Sequence, residues 1–403
     1  MNYYIILFFA AFISCSSVKK VNFETAIDTT SKPIEYQIKK TYNLEGTGVF
    51  VSNEFDGARL NGFEKVNDST ARILISPENY PVNNSAYYAF KTWSNKPRSF
   101  YFTFKYPEKY THRYIPKLKV DDEWTVIDSS KVFSTKGIIT IKLDLTQKPL
   151  IVAAQEVNSS KDVADWCSEI IKGKESFVKL NIYGTSPLGK KLIVFDISIK
   201  DTKSKDVIVL LTRQHPPEIT GYFAFQSFLK TILNDSDLSN TFLNKYHVLA
   251  FPIMNPDGVD LGNWRHNTGG IDTNRDWSVY KQPEIKRTVK YITKVLKKNK
   301  GRLVLGLDFH STYKDVFYTN EHKEQSVLPN FVEDWFAGLE ANIPNYKVNE
   351  EAGNSRKPVS KGWFLYGHNA VGITYEIGDD TPKKRIELIG KESAEQMMQL
   401  LVK

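Results

Sequence analysis

Two short segments of the sequence contain residues that could bind a metal ion. In the first, RQHPPE, His215 and Glu218 are three residues apart and follow the apolar stretch 207–211, so one turn can direct both side chains to a single point. An imidazole nitrogen and a carboxylate oxygen are half of a catalytic zinc shell. The same spacing is common by chance, and a surface turn stiffened by Pro216 and Pro217 is the alternative interpretation.

The second segment is DFHST, in which His310 follows another apolar stretch. A ligand from this separate strand would complete a His2Glu set, which leaves zinc one open position for water. A lone histidine at the end of a strand is more often structural, so that interpretation stays open. A site built from four cysteines is excluded, because the chain contains only Cys15 and Cys167.

Two further segments carry groups suited to a charged substrate. The glycine-containing loop NPDGVDLGNWRHNTGGIDTNRDW brings together Arg265, Asn274 and Arg275. Guanidinium and amide groups can hold a carboxylate or an oxyanion. In the apolar stretch VGITYEIGD, Glu376 is a candidate general base, because that role requires a buried carboxylate close to a metal-bound water.

The elements that must position these residues follow two different patterns. Residues 35–155 contain short alternating apolar runs separated by turns, which predicts an antiparallel β-sandwich domain. Residues 156–403 alternate apolar strands with helical stretches, which predicts an α/β catalytic domain whose mixed, mostly parallel sheet has helices on both faces. The four segments follow or end predicted strands, where ligand sites of open α/β sheets lie.

Composition limits the classes of function. The chain has 403 residues, of which 41% are hydrophobic and 25% charged, which excludes a wholly disordered or collagen-like protein. Its formal net charge of +8 is spread over this whole length. A nucleic-acid binder usually has more concentrated charge, so we expect no nucleic-acid partner. The lysine-rich stretch 294–302 is most simply the solvated end of a helix.

The amino terminus resembles a bacterial lipoprotein signal. An apolar run at residues 3–13 is too short to span a bilayer as a helix, and the small residue Ser14 precedes Cys15. We therefore expect a signal peptide over residues 1–15, a lipid anchor on Cys15, and a polar tether over residues 16–34. This predicts a membrane-anchored protein of the bacterial cell envelope. A buried amino-terminal strand is the alternative.

The motifs HPPE, NPDG followed by WR, NRDW, DFHS and ITYEIG together resemble the zinc carboxypeptidases of carboxypeptidase A type, in the same order along the chain. The forms NPDGV, GNWR and GIDTNRDW are closer to the cytosolic-carboxypeptidase branch, which also occurs in bacteria. GARLNGF, PENYPVNNSAYYAFKTWS and HRYIPK are similar to the β-sandwich that precedes the catalytic domain in that branch.

The resemblance implies a role for each matching residue and hydrolysis of the carboxy-terminal peptide bond of peptides or proteins. Glu376 matches the general base, and Arg265 matches the arginine that polarises the scissile carbonyl. His215, Glu218 and His310 match the ligands of one zinc ion. Asn274 and Arg275 match the residues that hold the terminal carboxylate.

The sequence departs from the family at the tyrosine that closes over the substrate, because Asn354 occupies the matching position. Near the usual selector of the substrate's last side chain the sequence has Lys361, which suggests a preference for acidic terminal residues. A lysine pointing to solvent is the alternative, and Arg356 and Lys357 are rival candidates.

Two other functions stay open. The envelope location suggests a peptidase that cuts the stem peptides of peptidoglycan. A non-catalytic lipoprotein whose sandwich binds a glycan or a partner is the third hypothesis. The complete ligand set together with Glu376 argues against it.

Overall fold

Residues 41–153 form two facing sheets in the structure, a computed structural model that describes residues 18–403. Their strands are β1 (Thr41–Leu44), β2 (Val49–Ser52), β3 (Gly62–Asn67), β4 (Thr70–Leu74), β5 (Ala89–Ser94), β6 (Arg98–Lys105), β7 (Lys117–Val120), β8 (Glu123–Val126), β9 (Val132–Thr135), β10 (Ile138–Leu145) and β11 (Leu150–Ala153). The sheet orders are β1-β2-β5-β11-β7-β8 and β3-β4-β6-β10-β9. Neighbouring strands are antiparallel except β4 and β6, which are parallel.

The strand β6 shows why this part of the chain folds as a sandwich. In RSFYFTFK, Phe100, Phe102 and Phe104 are buried and alternate with more exposed residues. They share one apolar core with Phe90 of the opposite sheet, whose ring centroid lies 5.9 Å from that of Phe102. Truncating such a residue to alanine costs about 3–5 kcal/mol, so Phe102→Ala would destabilise the sandwich severely.

Residues 160–402 form one eight-stranded sheet with helices. Its strands are β12 (Val178–Thr185), β13 (Lys191–Ile197), β14 (Asp206–Thr212), β15 (Tyr246–Phe251), β16 (Leu303–Thr312), β17 (Val316–Thr319), β18 (Glu350–Ala352) and β19 (Val371–Gly378). The helices are α1 (Ser160–Ile170), α2 (Ile219–Ile232), α3 (Asp237–Lys245), α4 (Pro256–Asp260), α5 (Pro283–Asn299), α6 (Phe331–Asn342), α7 (Ser360–His368) and α8 (Lys383–Val402).

The centre of this sheet is parallel. The strand order is β12-β13-β15-β14-β16-β19-β17-β18, and the run β15-β14-β16-β19 is parallel throughout. The pairs β12–β13, β13–β15 and β17–β19 are antiparallel. The carboxyl ends of the central strands therefore meet at one edge, as the sequence predicts.

Helices cover both faces of the sheet. In β14, Ile208 and Leu210 pack in the core that contains residues of α2, α6 and α8, whereas Val207, Val209 and Leu211 pack in the core that contains residues of α5 and α7. Every one of these five side chains is buried, which is why the strand is continuously apolar and not alternating. The predicted fold class, an α/β domain preceded by a β-sandwich, is confirmed.

The described part of the predicted tether, residues 18–34, is not a free linker. This segment, which we call the strap, runs along the α/β domain and places Val21 in the apolar core beside α7. Ser278 donates to the carbonyl oxygen of Val21 at 2.7 Å. The hydroxyl of Thr29 donates to Asp276 at 2.5 Å. The polar composition of the strap concealed this packing, because several of its polar groups are bonded to the α/β domain, among them the Thr29 hydroxyl and the backbone oxygens of Lys19 and Val21.

The predicted signal peptide and lipid anchor, residues 1–15, lie outside the described residues. Within residues 18–403, no helix is both long and apolar enough to cross a membrane.

Candidate active site

Glu218 lies at the amino-terminal boundary of α2. It is the N-cap residue of this helix, yet its side chain makes no capping hydrogen bond. Its carboxylate contacts two histidines instead, with Oε1 2.9 Å from Nδ1 of His215 and Oε2 2.6 Å from Nδ1 of His310. The side chain that would ordinarily close the helix end is thus available to the site.

The helix α2 approaches the strand that carries His310 very closely. A Cβ atom on Gly221 would lie 2.1 Å from the backbone oxygen of His310, so only glycine fits there. The amide of Gly221 donates to the hydroxyl of Ser311 at 2.9 Å. This close packing is what brings Glu218, at the start of the helix, within reach of β16.

The donor set fits a zinc ion. Nitrogen and oxygen atoms of His215, Glu218 and His310 all lie within 4.8 Å of one another, and the two Nδ1 atoms face each other 3.1 Å apart. Burial lowers the pKa of His310, but the carboxylates of Asp308 and Glu218 outweigh it and hold this pKa well above its usual range. The cluster therefore favours positive charge at its centre, and two imidazoles with one carboxylate are a common catalytic zinc shell.

The outward-facing nitrogen of each histidine is paired with a second carboxylate. His215 Nε2 lies 2.9 Å from Asp272 Oδ1, and His310 Nε2 lies 2.9 Å from Asp308 Oδ2. Such pairs fix the orientation and tautomer of metal-binding histidines and raise their basicity. Both Nδ1 atoms are thereby directed into the cluster.

Asp272 connects most of the charged groups of the site. Besides His215, it accepts hydrogen bonds from Arg265 Nε at 2.8 Å and from the backbone amide of Asn274 at 2.9 Å, and it lies 3.5 Å from Arg275 NH1. Burial raises its pKa, but Arg265, Arg275 and His215 outweigh burial and hold the pKa well below its usual range. From the sequence we expect Asp272 to fix the loop rather than to act chemically, whereas the structure also places it against a histidine of the cluster. Its position between two arginines in one loop was the available signal.

Glu376 lies on β19, where it pairs in register with His310 on β16. Its Oε2 atom is buried and has no hydrogen-bond partner among residues 18–403. Burial, reinforced by the charge of Glu218, raises the pKa of Glu376 to about 8. A bound dication would lower it again by adding positive charge nearby. The carboxylate is therefore well placed to exchange a proton.

The loop after α4 supplies the amide and the second arginine. Asn274 accepts a hydrogen bond from the backbone amide of Ser360 at 2.8 Å, which leaves its Nδ2 3.4 Å from His310 Nε2. Arg275 donates from NH1 to the backbone oxygen of Asn274 at 2.7 Å and is partly exposed. Both side chains are held at the rim of the histidine cluster.

A cavity of about 290 Å3 joins all these groups. Each of the eight site residues singled out in the sequence lines this cavity: His215, Glu218, Arg265, Asn274, Arg275, His310, Lys361 and Glu376. The structure thus brings together residues that are up to 161 positions apart in the chain, while their individual roles stay predictions.

Lys361, at the start of α7, is buried and does not point to solvent. Its Nζ donates to the backbone oxygen of Thr319 at 2.7 Å, to Ser355 Oγ at 3.2 Å and to Asn320 Oδ1 at 3.3 Å. Burial lowers its pKa to about 7. Of the rival candidates, Arg356 is exposed and lies 3.4 Å from Glu24.

Two tyrosines that sequence reasoning missed also line the cavity. Tyr318 lies on β17, next to the strand of Glu376, and burial followed by the charge of Glu376 raises its pKa. Tyr313 follows β16 and stacks on the guanidinium of Arg113 at 4.4 Å. Asn354, at the position of the family's closing tyrosine, lines the cavity as well, with a positive φ of 58°. Only a structure could show which phenols reach the site from other strands.

The β-sandwich contributes to the same cavity. The lining includes Asn83, Asn84 and Ser85 from the connection between β4 and β5, and Arg113 from that between β6 and β7. Arg113 holds its position through an ion pair with Asp379 at 2.8 Å. The sandwich is therefore part of the wall of the site.

Comparisons with known proteins agree with this geometry. Residues 163–396 match the family described as zinc carboxypeptidase. The chain is 30% identical over 163 residues to cytosolic carboxypeptidase 2 of Danio rerio, a match that covers 38% of this chain and 23% of that relative, so the chain spans well under two thirds of its length.

Solved structures show the same fold over almost the whole described chain. A metallo-carboxypeptidase from Burkholderia cenocepacia is 15% identical, with a TM-score of 0.72 over 88% of this chain and 98% of the other. One from Pseudomonas aeruginosa is 18% identical, with a TM-score of 0.71 over 87% and 98%. Since the family match covers more than half of the sequence, the chain belongs to the zinc carboxypeptidase family.

Proposed function

We propose that this protein is a zinc-dependent carboxypeptidase that hydrolyses the carboxy-terminal peptide bond of peptides or proteins. The observation that carries the proposal is the cluster of His215, Glu218 and His310 beside the unpartnered carboxylate oxygen of Glu376. Membership of the zinc carboxypeptidase family supports the same reaction.

The three cluster residues would hold the metal, and Asp272 and Asp308 would keep the two imidazoles oriented toward it. A bound zinc ion lowers the pKa of water to roughly 7 and polarises a carbonyl group.

Glu376 acts as the general base and then as the general acid. Its free Oε2 atom accepts a proton from the attacking water and passes that proton to the nitrogen of the leaving residue. Without a metal, a pKa of about 8 would leave Glu376 mostly protonated at pH 7. A bound dication would lower this pKa, so that the carboxylate is ionised and can accept the proton.

Three groups position the substrate. Asn274 and Arg275 bind its terminal carboxylate, since an amide and a guanidinium fit two carboxylate oxygens. Arg265 stabilises the oxyanion that forms on the scissile carbonyl. Burial lowers the pKa of Arg265, but Asp272 and Glu218 outweigh it and raise this pKa above its ordinary value, so the side chain stays charged.

Lys361 supports a preference for an acidic terminal residue. Its three hydrogen-bond acceptors are neutral, so among residues 18–403 no carboxylate is bonded to this buried amino group in the wall of the cavity. An ionised group buried without a counter-charge is unfavourable. A glutamate or aspartate side chain of the substrate would supply that counter-charge.

The test is release of terminal residues from peptides that end in Glu, Leu or Lys, with and without a chelator. We expect release that the chelator abolishes and zinc restores, fastest from the Glu peptide. If no peptide loses its last residue under any zinc condition, the proposal is wrong. Equal rates with all three peptides would remove only the acidic preference.

The same assay, run with peptidoglycan fragments, distinguishes the proposed peptide substrates from peptidoglycan stem peptides. If intact muropeptides are cut and simple peptides are not, the enzyme is a peptidoglycan stem-peptide peptidase.

We also propose that Cys15 carries a lipid that places the enzyme at a bacterial membrane. In that case Cys15→Ala should move the protein from the membrane fraction to the soluble fraction.

A further inference from the structure

A carboxylate of the β-sandwich is buried inside the catalytic loop. Glu78, in the connection between β4 and β5, is fully buried. Its Oε2 accepts a hydrogen bond from the backbone amide of Trp264 at 2.7 Å. Its Oε1 accepts hydrogen bonds from the backbone amides of Arg265 at 3.0 Å and His266 at 2.6 Å. Three successive amides of the catalytic domain are thus bound by one side chain from the other domain.

The surroundings of Glu78 favour this arrangement. Arg59 NH2 lies 3.6 Å from Oε2, and both side chains are almost completely buried, so the carboxylate's charge is balanced. Next to it, Asn79 Oδ1 lies 2.7 Å from His266 Nδ1. Hydrogen bonds from backbone amides to an ionised carboxylate are roughly twice as strong as neutral ones.

Arg265 is consequently held at both ends. Its backbone amide is bound by Glu78, and its guanidinium is bound by Asp272 at 2.8 Å. We propose that Glu78 is a positioning residue of the active site, through which the β-sandwich fixes the backbone at residues 264–266 and so directs Arg265 to the scissile carbonyl. This rests on the proposed function of Arg265.

The proposal explains why the sandwich accompanies the catalytic domain. Catalytic geometry is sensitive to small displacements, since an error of about 1 Å can cost on the order of 100-fold in rate. The loop 261–277 has little regular structure of its own, apart from a short 3₁₀ turn at Thr273–Arg275. Glu78 supplies from outside the rigidity that this loop does not build for itself.

The informative variant is Glu78→Gln. Glutamine keeps the shape, but both carboxylate oxygens accept backbone amides, so its NH2 group must face a donor in either orientation. We expect kcat to fall about 10- to 100-fold with little change in KM or zinc content, because Arg265 acts in the transition state. Glu78→Asp, which keeps the charge beside Arg59, should lower kcat less than Glu78→Gln does.

The matched control is Gln37→Ala. Gln37 precedes the sandwich and also makes a cross-domain hydrogen bond to this loop, from Nε2 to the backbone oxygen of Leu261 at 2.9 Å. None of its side-chain hydrogen bonds within residues 18–403 reaches residues 264–266. Its removal should lower the melting temperature and leave kcat within about 2-fold, since lost hydrogen bonds of this kind cost about 1 kcal/mol of stability.

A double-mutant cycle distinguishes positioning from a general effect on folding. In an Arg265→Ala background, Glu78→Gln should lower kcat less than about 3-fold, because the side chain that Glu78 positions is gone. An undiminished loss in that background, or full activity of both folded Glu78 variants, would overturn the proposal.

Amide hydrogen exchange gives a readout that does not depend on catalysis. Glu78→Gln should speed exchange at residues 264–266 more than Gln37→Ala does. If the unmodified enzyme releases no terminal residue, the proposed function fails. The exchange result then still decides whether Glu78 holds the loop, and unchanged exchange would overturn that as well.

Discussion

Two parts of the wall of the active-site cavity differ in their electrostatics. We call the part around His215, Glu218 and His310 the metal end and the part around Lys361 the positive end. At the metal end, each histidine contacts Glu218 and a second carboxylate, Asp272 or Asp308. At the other end, Lys361 is buried among three neutral acceptors. One end has an excess of carboxylate that a dication would neutralise. The other has a positive charge that an anionic substrate would neutralise.

Under the proposed function, this difference would orient the substrate in the cavity. The negative end is preorganised by bonds within the protein, so its geometry exists before anything binds. Under the proposed function, the positive end would gain a charged partner only when an acidic substrate binds. A substitution at the metal end should therefore lower kcat for every substrate, whereas a substitution of Lys361 should change the ratio of kcat/KM between substrates.

The largest effect is expected from Glu376→Gln, which removes the proton acceptor at the metal end. We expect kcat to fall on the order of 10³-fold for all substrates, as general-base catalysis contributes 10²–10⁴. Zinc content, measured by atomic emission, should be unchanged. Glu351→Gln, on the exposed strand β18, is the control. Retention of activity in the folded Glu376 variant would show that another group is the base.

A smaller effect is expected from Asp272→Asn, which weakens the orientation of His215. Loss of such an outer carboxylate typically lowers metal affinity or activity about 10- to 100-fold. Competition with a chelator would measure the zinc affinity, with the exposed Asp201→Asn as a control. An unchanged affinity would mean that Asp272 serves only the two arginines.

Lys361→Met tests the positive end. The overall rate on a Leu peptide should change little, while the ratio of kcat/KM for Glu over Leu peptides should fall about 10- to 100-fold, since a charged site loses its complementary group. Lys357→Met, an exposed neighbour, should leave the ratio unchanged. If both variants retain the ratio, the selector lies elsewhere in the cavity.

The smallest effect is a pH dependence of the same ratio. Because the pKa of Lys361 is about 7, the lysine loses its charge as the pH rises through neutrality, and the preference for Glu should decline between about pH 6 and 8.5. The ratio should be flat in Lys361→Met. Between about pH 7 and 10.5, the ordinary pKa of a lysine, Lys361 is mostly neutral in the folded state and mostly protonated in the unfolded state. The free energy of unfolding should therefore rise with pH in this range. A ratio that rises with pH would contradict this assignment.

The sequence was enough to expect His215, Glu218, His310 and Glu376 close together, because each lies in or directly after an apolar strand and the family resemblance names the same four residues. His310 and Glu376 follow apolar runs that could only be buried strands, and parallel strands align their carboxyl ends. Glu78 was beyond reach, because its bond to Trp264 joins residues 186 positions apart and nothing local marks it. The parallel pairing of β4 with β6 was equally hidden, since alternation predicts a strand but not its direction.

The strap has a practical consequence for making the enzyme. A shortened chain that begins at the first strand, Thr41, would keep every catalytic residue but lose Val21 from the apolar core that also contains Trp277 and Trp363. It would also leave Asp276 without the hydroxyl of Thr29. Such a protein would present newly exposed indole surface and tend to self-associate. A shortened version for kinetics or crystallisation should therefore start no later than Val18.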